Sequence, residues 1–159
     1  MKHSIKLEAG KIIVPMNIQD ANLKDMSEVD FKVDTGSDYT TISKKELYTL
    51  GYSADWIKQN AIRNDRDAKT ADGSTIPIYF LQIPKMNILG TEVSNMRLHI
   101  LLDGDGGAAR DLNNLLGLDL LLSFNYMVNN DEDEFIIHRT TKPSKTKTIY
   151  PEVQLFNLD

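Results

Sequence analysis

A mainly β domain with one or two short helices is the architecture this sequence specifies, and three observations point to it. β-branched and alternating apolar segments recur along the chain. Gly, Pro, Asn and Asp punctuate those segments as turn formers. Helical periodicity is confined to short stretches, with no βαβ alternation and no internal repeat.

Lys11-Ile12-Ile13-Val14-Pro15-Met16-Asn17-Ile18 opens the pattern as a strand. Pro15 lacks an N–H, so that strand lies at an edge or pairs on one side only there. A polar connector, 19–28, follows. Val29-Asp30-Phe31-Lys32-Val33 alternates with period two and runs into Asp34-Thr35-Gly36, and Thr40-Thr41-Ile42 reads as a further short strand. Ser43 is an N-cap candidate, with Glu46 completing a capping box. The helix over 44–50 ends at Gly51, and 55–60 reads as another helical turn. Asp72-Gly73, within Lys69 to Thr75, predicts a hairpin, because Gly accepts the positive φ of primed turns. Strands are expected over 76–83, 86–89 and 96–102, with a turn at Gly90. Asp103-Gly104-Asp105-Gly106-Gly107 reads as an exposed loop. Leu115-Leu116-Gly117-Leu118-Asp119 leads into an apolar segment read as a short helix up to Tyr126. Strands at 126–128 and 135–138 form a hairpin with an acidic tip. Residues 1–139 are thus expected to form one domain. Residues 140–159, polar and carrying Pro143 and Pro151, are expected to be a tail or an arm contacting a partner chain.

Asp34-Thr35-Gly36-Ser37, at the end of an apolar strand, carries the chemistry. Any given tripeptide arises by chance in roughly a few per cent of chains this size. The placement adds the weight: a strand delivers the Asp and a polar, Gly-containing turn exposes it. Hydrolysis of a peptide without a metal needs one base to activate water and one acid to protonate the carbonyl. Two carboxylates about 3 Å apart supply both, because like charges so close share a proton. Gly36 lets backbone amides approach the carboxylate, and the hydroxyls of Thr35 and Ser37 can orient it.

With these residues the chain resembles the retropepsin-like aspartic proteases. Val33 to Ile42 is similar to their active-site segment. The helix ending at Leu50-Gly51, the Thr70-Ala71-Asp72-Gly73 flap and the Leu115-Leu116-Gly117 element match in order and rough spacing. The resemblance implies a closed acid-protease barrel over about residues 11–138. It implies that Asp34 is the catalytic aspartate, with Thr35 and Gly36 in the same loop. Thr35 would lock the two active-site loops of a dimer together. Ser37 stands where retroviral members usually have Ala, and Asp38 would contact the substrate backbone. Asp72, Gly73 and Ser74 would lie at or near the flap tip. The insert at 103–114 and the tail depart from the family pattern.

Only one Asp-Thr-Gly occurs in the chain. A mechanism needing two carboxylates therefore implies a homodimer with both copies of Asp34 on its two-fold axis. The expected activity is aspartic endopeptidase, cleaving peptide or protein substrates bound extended, with no cofactor and no metal. The alternative is a peptide-binding or regulatory module on the same fold, without hydrolysis.

Competing readings are weaker. Gly104-Asp105-Gly106-Gly107-Ala108-Ala109 formally fits a dinucleotide fingerprint. It lacks a βαβ setting, and Asp103 and Asp105 would repel a pyrophosphate. The same loop begins like a calcium site but lacks the later ligands. His3, His99 and His138 have no metal-binding spacing, and Trp56 reads as packing. The formal charge of −5 argues against a nucleic-acid footprint. The absence of cysteine excludes disulfides and thiol chemistry. No signal-like leader or span-length apolar stretch is found, so a cytoplasmic protein without membrane association is the expectation.

Overall fold

The computed structural model describes residues 2–4, 6–8, 11–19, 26–69, 72–101, 113–129, 131–132 and 134–139. The loop after residue 102 and the 140–159 tail lie outside the described residues. The strands begin earlier than their pattern suggests, with β1 (Lys2–Ser4) and β2 (Lys6–Glu8) preceding β3 (Lys11–Gln19). β3 alternates along its length, burying Val14, Met16 and Ile18. It pairs throughout its middle with β4 (Ser27–Val33). Its other edge is shared: β2 takes residues 11–13 and β9 (Ile78–Ile88) takes residues 16–19. The gap between those ladders falls at Val14 and Pro15, where a residue without an N–H loses nothing.

After the turn following β4 come β5 (Thr41–Ile42), α1 (Lys44–Thr49) and α2 (Ala54–Asn60). Ser43 caps α1 by accepting from Glu46 N, and Gly51 ends it at φ +97°. The capping box is only half formed. Ser43 N donates to Asn114 Oδ1 rather than to Glu46, and Asn114 Nδ2 lies 3.3 Å from Glu46 Oε2. A residue 71 positions away thus took the place of the local partner.

β6 (Ile62–Arg63) pairs with β9, while β7 (Ala68–Lys69) and β8 (Thr75–Ile76) form a separate two-stranded hairpin. β9 is one continuous strand rather than the two expected. Pro84 does not break it, because the opposing residue of β10 (Thr91–Leu101), Asn95, takes a positive φ of 52° and drops out of the ladder. Leu89 and Gly90, at φ +47° and +84°, join the two strands in a two-residue turn of the primed kind.

β11 (Leu115–Leu116) then inserts between β4, to which it is parallel, and β5. α3 (Leu118–Leu121) stops five residues short of the helix expected up to Tyr126. The chain goes directly into β12 (Phe124–Asn129), paired with β13 (Glu134–Arg139). β1 pairs with the far edge of β13.

The ladders β3–β4–β11–β5–β10–β9 return to β3, so six strands form a closed circuit of hydrogen bonding. Phe31, Met16, Met96, Leu98, Ile100, Leu116 and Leu121 fill the core it surrounds. Among the described residues, no helix is long and apolar enough to cross a membrane.

Candidate active site

β4 ends at Val33 and delivers Asp34 to the rim of the core, where it is half-buried while Thr35 and Gly36 are exposed. The turn begins tightly. Gly36 N donates to Asp34 Oδ1 at 3.0 Å, and Ser37 N donates to Asp34 O at 3.2 Å. A Cβ on residue 36 would stand 3.2 Å from that same carboxylate oxygen, so glycine keeps the amide and the carboxylate in register. Ser37 does not point its hydroxyl outward; Oγ donates to Tyr39 O at 2.8 Å.

Support for this turn comes from the segment that follows β11. Asp34 N donates to Leu116 O, Leu118 N to Ser37 O and Asp119 N to Asp38 O, at 2.9–3.2 Å. Gly117 makes this approach possible: a Cβ there would lie 2.4 Å from both the carbonyl carbon and the oxygen of Tyr39. The Leu-Leu-Gly element noticed in the sequence therefore matters through its glycine, where the two main chains touch.

Behind the turn lies a buried polar cluster. Asp119 Oδ1 accepts from Thr40 N (2.8 Å), Thr40 Oγ1 (2.6 Å) and Leu120 N (2.8 Å). Thr40 Oγ1 in turn accepts from Gly117 N at 3.1 Å. Asp119 Oδ2 faces His99 Nδ1 at 3.9 Å, and these side chains are 1% and 0% exposed. The His99 ring stacks on Tyr39 with centroids 4.4 Å apart, and His99 N donates to Thr40 O. Burial pushes the Asp119 carboxyl up to about 6, against the hydrogen bonds from Thr40 and Leu120 that favour its ionised form. Burial pulls the His99 imidazole down to about 4; a backbone hydrogen bond with Thr40 opposes this and the charge of Arg97 adds to it. Asp119 and His99 were not singled out in the sequence. Asp119 sits two residues after the glycine of an apolar element, and His99 sits between Leu98 and Ile100. Only the packing reveals that they meet.

Of the residues expected at the site, Asp34, Thr35, Gly36, Ser37 and Asp38 share the one turn. Asp72, Gly73 and Ser74 form the tip of the β7–β8 hairpin, with Gly73 at φ +84°. Asp72 Oδ1 accepts from Ser74 N and Ser74 Oγ, which shapes that tip. At the base of this excursion Asn64, buried, donates from its side chain to Arg66 O and reaches Tyr39 Oη at 3.5 Å. Among the described residues, no group of three or more His, Asp or Glu is placed to hold a metal ion.

Residues 20–123 match the family model described as "gag-polyprotein putative aspartyl protease". No curated protein matches the chain. A solved structure, that of a retropepsin-like aspartic protease from Rickettsia conorii, is similar at a TM-score of 0.53. Its sequence identity is 18%, over 86% of this chain and 89% of that one, and the likeness is one of fold. With the family match spanning both the Asp34 turn and the Gly117 segment that supports it, the chain belongs to the gag-polyprotein aspartyl protease family, a retropepsin-like family.

Proposed function

We propose that this protein is an aspartic endopeptidase that works as a homodimer, each chain contributing one Asp34. The observation that carries the reading is the Asp34 turn. It presents a half-buried carboxylate at the end of a core strand, with Gly36 N donating to one oxygen. Only one such Asp-Thr-Gly turn exists per chain. Two copies brought together across a two-fold axis would hold a water between their carboxylates. The ionised Asp34 takes a proton from that water as it attacks the scissile carbonyl, and the protonated Asp34 donates to the carbonyl oxygen. The exposed hydroxyl of Thr35 is free to bond across the axis. The β7–β8 hairpin, with Asp72, Gly73 and Ser74 at its tip, closes over an extended peptide, and Asp38 bonds the peptide's backbone.

Cleavage of a peptide library by wild type and by Asp34→Asn tests this reading, with sedimentation run alongside. Wild type should cleave and sediment as a dimer at working concentration, while Asp34→Asn should dimerise and be inactive. Cleavage that survives the substitution, or a wild-type protein that remains monomeric while cleaving, would sink the two-aspartate mechanism. A dimer that binds peptides without cutting them at acidic or neutral pH would establish the binding-module alternative.

A further inference from the structure

We propose that Asp119 is a positioning residue for Asp34, and that together with His99 it forms a buried pair on which the catalytic turn rests. The proposal deepens the protease reading, and its measurements are chosen to stand apart from that reading.

The geometry assigns Asp119 a task that core packing alone would not need. One of its oxygens gathers three donors, two of them on Thr40, the residue that ends the catalytic turn. Thr40 Oγ1 passes the connection to Gly117 N, and the neighbouring main chain of 116–119 holds Asp34, Ser37 and Asp38. The main-chain anchors of the turn thus come from Leu116, from the 117–119 segment and from His99 on β10, while Asn64 reaches the Tyr39 hydroxyl. Loss of the carboxyl would leave the Thr40 amide and hydroxyl without their acceptor in a site closed to water.

The second oxygen, Oδ2, is turned toward His99. At 3.9 Å from His99 Nδ1 it is about 1 Å too far for a charge-assisted bond, and Oδ2 accepts no hydrogen bond among the described residues. The Tyr39 and Phe80 rings flank His99. Arg97 on β10, whose guanidinium lies over Phe80, is the charged group acting on His99, and the Tyr39 ring packs against His99 from the turn. Burial of both side chains shifts each toward its neutral form, the carboxyl upward and the imidazole downward.

Three substitutions separate positioning from simple stability. Asp119→Asn keeps an oxygen for Thr40 and Leu120, so it should fold and retain kcat within a few-fold of wild type. Asp119→Ala should lower kcat about 100-fold with KM changed little, the scale expected when a reacting group is misplaced by about 1 Å. Thr40→Val removes the hydroxyl link while leaving Asp119 in place, and serves if Asp119→Ala does not fold; it should lower kcat at least ten-fold. The readout independent of activity is the carboxyl carbon resonance of Asp34 in protein labelled at the Asp side chains. It should move in Asp119→Ala and Thr40→Val and stay near its wild-type position in Asp119→Asn. A wild type that cuts no peptide would remove the protease reading, and the Asp34 resonance would still decide on Asp119. An Asp34 resonance unmoved in folded Asp119→Ala or Thr40→Val would overturn the proposal, as would kcat unchanged in an active enzyme.

Discussion

Gly117 is buried where the main chain of Tyr39 and Thr40 leaves no room for a side chain, the obstructing atoms being backbone rather than a movable side-chain end. Gly117→Ala should therefore destabilise the fold by about 3 kcal/mol through overpacking, read as a lowered urea midpoint. A midpoint within experimental error of wild type would mean that the two segments separate easily. The Asp119–His99 pair makes a different prediction. The ordinary value for Asp119 is 3.8 and its folded value is raised to about 6, so the stability it contributes is present below 3.8 and is lost as pH rises through 6. His99 is lowered from 6.5 to about 4, so its contribution is present above 6.5 and is lost as pH falls through 4. Between pH 4 and 6 the two slopes oppose one another: folding moves a proton from imidazole to carboxyl with no net uptake. The pair's contribution to wild-type stability should change little across that window. Asp119→Asn should uncover the His99 slope, with stability climbing by on the order of 3 kcal/mol between pH 4 and 6.5. A flat profile in Asp119→Asn would refute the assigned shifts. None of this was legible from spacing, because Asp119 and His99 lie on segments far apart in the chain and their shifts arise from burial. Asp34 was legible, since its meaning is carried by adjacent residues and by the strand before it.

At the scale of elements, local signals gave the strands and the first two helices well, and erred where a distant residue intervened. Asn114 bonds Ser43 N, Asp30 O and Glu46, and so ties the start of α1 to β4 and displaces the expected reciprocal cap. Two strands were expected over 76–83 and 86–89, but the chain stays one strand through Pro84, and the residue opposite it that leaves the ladder is Asn95. The apolar run after Gly117 read as helix to Tyr126. The pairing of β12 with β13 claims Phe124 onward and ends α3 at Leu121. Two hairpins of different attachment give an element-scale prediction. Gly73 and Gly90 both have φ +84°, a conformation costing an alanine roughly 1–2 kcal/mol. β9 and β10 belong to the main circuit, so Gly90→Ala should lower the melting temperature by several degrees. Among the described residues β7 and β8 pair only with each other, so Gly73→Ala should leave the melting temperature nearly unchanged while reducing kcat/KM. Equal melting shifts in the two variants would show that the β7–β8 hairpin folds with the core.

For the whole molecule, the closed circuit of six strands surrounds one core and places the Asp34 turn at its rim. The strand-rich composition announced this architecture. The closure was expected only through the family resemblance and not from local pattern, because it depends on β3 sharing one edge between β2 and β9. If two chains make one site, specific activity should rise with protein concentration and reach a plateau where the dimer saturates. Specific activity constant down to concentrations at which sedimentation finds only monomer would exclude the shared site. The same architecture also bears on timing. Thr40 and Asp119, which hold the end of the Asp34 turn, are 79 residues apart. A chain emerging from the ribosome exposes Asp34 long before the segment that braces it exists. Contacts so distant in sequence form late in folding. Asp34 therefore takes up its folded setting only once the segment around Asp119 has been made, and under the proposed protease reading no cutting can begin before then.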